Sequence, residues 1–391
     1  MNSQTLDILD YEGALKELAE LTHSEPGRAA ALSLRPFDRS EAILASWARI
    51  EEARALLATA ESPEFRDLSD LGPLLKALGP EGAVLEPLEL LAVAKVAAAS
   101  RAALEFFGRQ KTVAPLLAAL AEELSPFKPL REDLERSVGP DGDVLDSASP
   151  ALARIRQDLA SSKVALAQRL AELIRSPEFK PFVMDDIVTT RGDRFVVPVR
   201  AGAAGRSRGL VHDWSNSGAT AYLEPLEAVE DNNRLAYLKN REKEEIFRIL
   251  SKLSSQCRAE ALNLSASAAA LTRLDLIMAQ GRLAQSWRAA TPEHKPGLGF
   301  NLKDLRHPLL EKRLAQEGRR LVPLDLVATP EAPLLVISGL NAGGKTVALK
   351  TLGLALALAA TGLPIPAAEG SWLDFPADVL AVMGDNQDLA A

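Results

Sequence analysis

Near the end of a 391-residue chain, Gly339-Leu340-Asn341-Ala342-Gly343-Gly344-Lys345-Thr346 satisfies the pattern Gly-x4-Gly-Lys-Thr. Each position has a chemical reason. Glycines let backbone N–H groups converge on a β-phosphate, and a following helix offers its positive dipole end. Lys345 neutralises β/γ charge, and Thr346 ligates Mg²⁺ held through the nucleotide. An apolar, strand-like run at 334–338 precedes the loop and a helix is expected over 345–360, the context in which the pattern becomes a nucleoside triphosphate site for ATP and Mg²⁺. The plainer alternative is a strand, turn and helix with incidental glycines. Turnover also needs an acid at the end of another strand for Mg²⁺ and a group that orients water. Only 46 residues follow Lys345, too few to complete a doubly wound sheet. The expectation is therefore an N-terminal fragment of a longer ATPase, with no catalytic residue within this chain and no turnover of its own.

A second constellation is basic. Arg191, Arg194, Arg200, Arg206 and Arg208 face only Asp193 between residues 187 and 210, a local excess of four positive charges in a chain of net charge −8. That net charge argues against a protein that coats nucleic acid non-specifically, so any such site must be a local patch. Arg206 and Arg208 fall in a flexible, glycine-containing connection over 201–209, from which guanidinium groups can reach a phosphate backbone. The bland reading is a solvated hairpin. Trp214 offers a face for stacking on a base, although a core position is its plainer expectation. His307 has no Ser, Cys or carboxylate beside it in a triad pattern, which favours a structural or nucleotide-side role. Glu242-Lys243-Glu244-Glu245 reads as the solvated face of a helix.

These groups need elements to hold them. With 47% hydrophobic, 25% charged and 5% aromatic residues, the composition favours packed helices, and the length favours more than one domain. The fold class is mainly α. A single cysteine, Cys257, excludes a disulfide framework or thiolate cluster and suits a reducing compartment, while His23, His212, His294 and His307 are too scattered to suggest a metal site. No leader-like segment opens the chain, and the apolar run at 347–360 is too short to span a bilayer, so the cytoplasm is expected and a membrane is not.

Up to about residue 138 the pattern gives short amphipathic helices punctuated by Pro and Gly. Ser149 as N-cap and Pro150 at the first position begin a longer helix with Leu152, Ile155, Leu159, Leu166, Leu170 and Leu173 on one stripe, ending before Pro177. Strands are expected at 187–191, 194–200, 210–214 and 219–223. A helix then runs to about 264 with Leu235, Leu238, Ile246, Ile249, Leu253 and Cys257 inward, followed by a helix over 265–287 and a buried strand at 379–383. Two long helices around a small sheet imply an antiparallel arm with the sheet at its tip.

Several segments together resemble the MutS family of ATPases, specifically its anti-recombination branch. The phosphate loop resembles the family's Gly-Pro-Asn-x-Gly-Gly-Lys-Thr, with Leu340 in place of proline. Ala270-Leu271-Thr272-Arg273-Leu274-Asp275 is similar to its Ala-Leu-x-x-Leu-Asp helix, and Arg306-His307-Pro308 to its entry into the ATPase domain. Asp146-Ser147-Ala148-Ser149-Pro150, Ser217-Gly218-Ala219-Thr220 with Glu224-Pro225, and Glu25-Pro26-Gly27-Arg28 resemble the branch. Gly384-Asp385-Asn386-Gln387 resembles Gly-Asp-Glu-Gln with one change, and the family's Walker B acid and dimer signature do not follow it. A mismatch-reading domain with Phe-x-Glu is also absent from the sequence.

The resemblance implies a helical core at 1–148, lever helices at 149–175 and 226–264, a clamp at 176–225, a core return at 265–300 and the incomplete first part of an α/β P-loop ATPase domain at 301–391. It implies a homodimeric, ATP-dependent clamp on branched DNA that suppresses recombination, with a C-terminal Smr nuclease domain in full-length members; the fragment alone should be monomeric. The branch is also linked to collided ribosomes, so a ribosome- or rRNA-binding ATPase remains the alternative.

Overall fold

The computed structural model describes residues 1–59, 63, 65–339 and 344–382. Helices come in the order α1 (Ser3–Ile8), α2 (Tyr11–Glu20), α3 (Glu25–Leu32), α4 (Ser40–Thr59), α5 (Gly72–Ala77), α6 (Pro87–Arg109), α7 (Pro115–Ala121) and α8 (Lys128–Ser137). They continue with α9 (Pro150–Arg175), α10 (Leu226–Ala259), α11 (Ala261–Ser286), α12 (Pro308–Gln316) and α13 (Lys345–Ala360). Strands are β1 (Thr189–Arg191), β2 (Arg194–Arg200), β3 (Gly209–Trp214), β4 (Thr220–Pro225), β5 (Glu293–His294), β6 (Phe300–Leu305), β7 (Leu324–Ala328) and β8 (Trp372–Leu373). Among the described residues the fold is mainly α with two small sheets. Among the described residues, no helix is long and apolar enough to cross a membrane.

The chain divides into two compact units: Met1–Ala77, Ala92–Lys128 and Glu260–Ala391 form the first, and Leu78–Leu91 with Pro129–Ala259 the second. In the second, α9 starts where Ser149, in extended geometry, accepts a hydrogen bond from the Leu152 amide at 3.0 Å and Pro150 takes the first helical position. It stops at Arg175, because Pro177 disfavours helical torsions at Ser176. The helices α9 and α10 run antiparallel, with Leu152, Leu159, Leu166 and Leu170 buried on one and Leu235, Leu238, Ile249 and Leu253 on the other. Cross-links follow the same register: Ser149 donates to Glu245 at 2.6 Å, Arg156 to Glu242 at 2.7 Å and Arg169 to Asp231 at 2.8 Å. Glu242 and Glu245 thus face α9, whereas Lys243 and Glu244 keep the solvated position expected of the whole run.

Four antiparallel strands, in the order β1-β2-β4-β3, form the second unit's sheet, with Val197 opposite Leu223, Arg200 opposite Thr220 and Trp214 opposite Ala221. Val197, Val199, Ala221 and Leu223 share one core with Leu166, Leu170 and Leu235 of the arm helices. The strand β3 passes so close to β4 that a Cβ at Gly209 would lie 2.4 Å from the Glu224 carbonyl.

The first unit packs α1, α2, α4, α11 and α13 with residues of the sheet β5-β8-β6-β7 around one core. Asp275 of α11 is fully buried and receives the Ser24 hydroxyl at 2.6 Å, the Ser24 amide at 2.9 Å and the His23 amide at 3.0 Å. Ser24 in turn caps α3 by accepting from the Gly27 amide. A Cβ at Gly27 would lie 2.3 Å from Asp275 Oδ2, which explains that glycine by space alone. Arg306 is buried, donating to the carbonyls of Trp287 at 3.0 Å and Arg288 at 2.8 Å.

Three expectations change. The helical stretch assigned as far as 264 ends at Ala259, and α11 begins at Ala261; no Gly or Pro marks the break, so periodicity alone placed it late. Residues 334–338 enter no strand ladder among the described residues, and Leu334 and Val336 are 81% and 75% exposed. The apolar side chains of a strand are buried only when other elements cover the faces of its sheet. Residues 379–382 likewise form no ladder, and Met383 lies outside the described residues.

Candidate functional site

Leu340, Asn341, Ala342 and Gly343 lie outside the described residues, as do Gly384, Asp385, Asn386 and Gln387. The two ends of the phosphate loop are defined. Gly339 has φ 153° and Gly344 has φ 83°, ψ 12°, torsions that L side chains rarely adopt, while a Cβ at either position would meet nothing within 4 Å. Backbone conformation, not crowding, therefore calls for glycine at both. From Gly344 the chain enters α13 without a side-chain cap, so its first-turn amides keep the donors that an anion accepts. Lys345 Nζ donates to the Gly339 carbonyl at 2.6 Å, bridging the loop's two described ends. Thr346 stands exposed in the first turn of α13. Glycine torsions, an uncapped helix start, a lysine and a hydroxyl make a donor set that fits a phosphate chain with a hard cation.

His307 has a structural place. Its ring caps α12, Nδ1 accepting from the Leu310 amide at 3.4 Å, and the side chain is buried. Burial, and then the nearby Lys350 charge, depress its pKa to about 4, so the ring is neutral at pH 7.

The five clamp arginines separate into two groups. Arg194 donates to Glu224 Oε1 at 2.6 Å and to Asn233 Oδ1 at 2.7 Å. Arg191 lies 3.8 Å over the Tyr222 ring and pairs with Asp213 at 3.3 Å. The charge of both is spent within the unit. By contrast, Arg200, Arg206 and Arg208 are exposed and form no ion pair among the described residues. Their connection is more ordered than a flexible loop: Ala201–Ala203 makes a 3₁₀ turn, and Ser207 is buried with its hydroxyl on the Ala203 and Ala204 carbonyls. Arg200 sits opposite Thr220 and Gly209 opposite Pro225, so the connection spans five residue steps of β4, roughly 16 Å along the strand. Duplex DNA rises by about five base pairs over that length. Trp214 is 50% exposed on the edge strand β3, close in register to Arg200, and not in a core.

Sequence reasoning missed the group that holds this sheet. Glu224 is fully buried and accepts from Arg194, from His212 Nε2 at 2.5 Å and from Asn232 Nδ2 at 2.8 Å. Burial alone would raise its pKa, but the hydrogen bonds from His212, Asn232 and Arg194 and the Arg194 charge outweigh it and lower the pKa overall. Asn232 also closes both backbone bonds with Phe195. The available signal was a carboxylate directly before a proline at the end of an apolar strand.

No family model matches the chain. Along its whole length it is similar to proteins described as Endonuclease MutS2: 38% identical over 389 residues to that of Pelotomaculum thermopropionicum, 36% over 389 to that of Solidesulfovibrio magneticus and 36% over 395 to that of Gemmatimonas aurantiaca. These alignments cover 100% of the chain and 48%, 50% and 48% of the respective relatives. The chain spans about half the length of the curated relatives it matches.

Proposed function

We propose that this chain, which belongs to the MutS2 branch of the MutS family, supplies the core, lever arm and clamp of an ATP-dependent protein that closes on branched DNA and suppresses recombination. The carrying observation is the division of the clamp arginines. Arg200, Arg206 and Arg208 are exposed, without an ion pair among the described residues, along a connection of duplex-matching span, with the exposed Trp214 near one end. Phosphate contacts of this kind position a protein on nucleic acid without reading sequence, as recognition of branched structure requires. The domain reading, with the second lever helix shortened to its observed end, is core at 1–148 and 260–300, lever helices at 149–175 and 226–259, clamp at 176–225, and the start of a nucleotide-binding domain from 301 onward.

Gly339 to Thr346 would hold ATP with Mg²⁺, which supplies the phosphoryl-transfer energy for opening and closing. The α13 amides and Lys345 would donate to phosphate oxygens, and the Thr346 hydroxyl would ligate the cation. In the full-length protein these domains would pair as a homodimer. The relatives' name includes endonuclease, and we assign that activity to the part of their length that this chain does not span.

The test compares wild type with Arg200→Ala/Arg206→Ala/Arg208→Ala on Holliday-junction DNA and on ribosomes across a salt series. Junction affinity should fall, and the log–log salt slope should flatten by roughly one unit per lost contact. Unchanged affinity and slope on both would sink the proposal, whereas loss on ribosomes alone would replace DNA with rRNA.

A further inference from the structure

Behind the phosphate loop, α13 is seated on a single tripeptide. Leu9 and Asp10 form the turn from α1 to α2 and Tyr11 opens α2, with Asp10 in left-handed geometry at φ 58°. Each touches α13 or its C-cap. Lys350 Nζ lies 3.2 Å from Asp10 Oδ2, a Cβ at Gly353 would fall 2.4 Å from Leu9 Cδ2, and the Tyr11 hydroxyl bonds Thr361 Oγ1 at 2.8 Å. Lys350 and Thr361 are eleven residues apart, about three helical turns, so these contacts mark one stripe of the helix.

The ion pair is the directional member of the set. Lys350 and Asp10 are both nearly buried, their side chains 6% and 11% exposed, and His307 Nε2 stands 3.9 Å from the same carboxylate oxygen. An ammonium in such surroundings requires its counter-charge. Sliding α13 by one residue moves it about 1.5 Å and turns it about 100°, which carries Nζ away from Asp10. Lys345 begins the same helix only five residues earlier, so whatever fixes Lys350 also fixes where Lys345 and Thr346 are presented.

We propose that Asp10 is a positioning residue for the phosphate loop, acting through Lys350 to set the height and rotation of α13. The inference rests on the nucleotide reading of the loop. A core ion pair without this role would affect stability and leave nucleotide affinity alone.

The discriminating experiment titrates a fluorescent ATP analogue into the full-length protein and records thermal melting in parallel. The variants are Asp10→Asn, Lys350→Met, Asp10→Asn/Lys350→Met and, as a control on the loop, Lys345→Ala. Each single change at the ion pair should raise Kd about tenfold, equivalent to about 1.4 kcal/mol of binding. The double variant leaves no unpaired buried charge and should recover much of the melting temperature, with Kd still raised and no worse than in either single variant. A folded double variant that binds within about twofold of wild type overturns the inference. Failure of the wild type to bind the analogue overturns both this inference and the nucleotide reading, which separates the two failures.

Discussion

Around the phosphate loop, position is set by backbone and packing: Gly339 and Gly344 supply torsions, and α13 rests on Leu9, Asp10 and Tyr11. In the clamp, position is set by side chains that converge on one carboxylate, Glu224, while Arg200, Arg206 and Arg208, outside that convergence, face solvent. The two regions show that residue type alone does not mark a binding group. An arginine is available for phosphate only when no buried acid has claimed it, and a loop lysine is placed only as well as the helix behind it.

The sharpest way to break the comparison is Glu224→Ala. It leaves Arg194 without its buried partner and removes the acceptor for His212 and Asn232. Loss of one member of a buried charged network costs about 3–5 kcal/mol, and urea unfolding followed by circular dichroism should show it. A loss under about 1 kcal/mol would mean that the apolar residues Val197, Val199 and Leu223 hold the sheet unaided.

His307 probes the other region through pH. Its folded pKa of about 4 lies below the ordinary 6.5, because burial and the Lys350 charge oppose protonation. The unfolded chain therefore takes up a proton that the fold refuses. Stability is fully present above pH 6.5 and is lost as pH falls toward 4, by on the order of 3 kcal/mol. His307→Asn keeps a good helix cap and removes the titration, so the wild-type curve should drop relative to the variant over that window. Parallel curves would show that His307 does not titrate differently in the fold.

How much was legible in the sequence follows from the range of each interaction. Glycine torsions at the loop, the Ser149-Pro150 start of α9 and the leucine stripes of α9 and α10 depend on neighbours within a turn or two, and the residues announce them. Asp275 and Ser24 are separated by 251 residues, and Glu224 and Arg194 by 30, so neither pairing has a local signature. The exposure of Trp214 depends on β3 being an edge, which a strand pattern does not specify. The run at 334–338 failed as a strand for the same reason: apolar content indicates a wish for burial, and only a partner grants it.

A smaller effect sharpens the split among the arginines. Arg194→Ala withdraws a charged donor from a buried acceptor and should cost about 1–3 kcal/mol. Arg206→Ala alters an exposed side chain without an ion pair among the described residues and should stay within about 0.5 kcal/mol. Junction affinity should respond in the opposite order once the two variants are compared at a temperature where both are folded. Equal stability costs would erase the distinction between the two groups.

Among the pH-dependent effects the smaller lies on the arm, at Glu245. Hydrogen bonds from Arg248 are the main cause of its depressed pKa of about 2; burial opposes them, while the Ser149 hydroxyl and the charges of Arg248 and Arg241 add to the lowering. A carboxylate with a lowered folded pKa contributes stability above its ordinary value of 4.5 and loses that contribution as pH falls toward about 2. Arg248 is 65% exposed, so solvent screens much of the pair and the contribution should be no more than about 1 kcal/mol. Glu245→Gln preserves the shape and an acceptor for Ser149 but removes the charge. The difference in melting temperature between wild type and variant, measured from pH 5 down to about 2.5, should shrink steadily with acid. A difference that stays constant would assign the role of Glu245 to the Ser149 hydrogen bond across the arm, with Arg248 contributing nothing measurable.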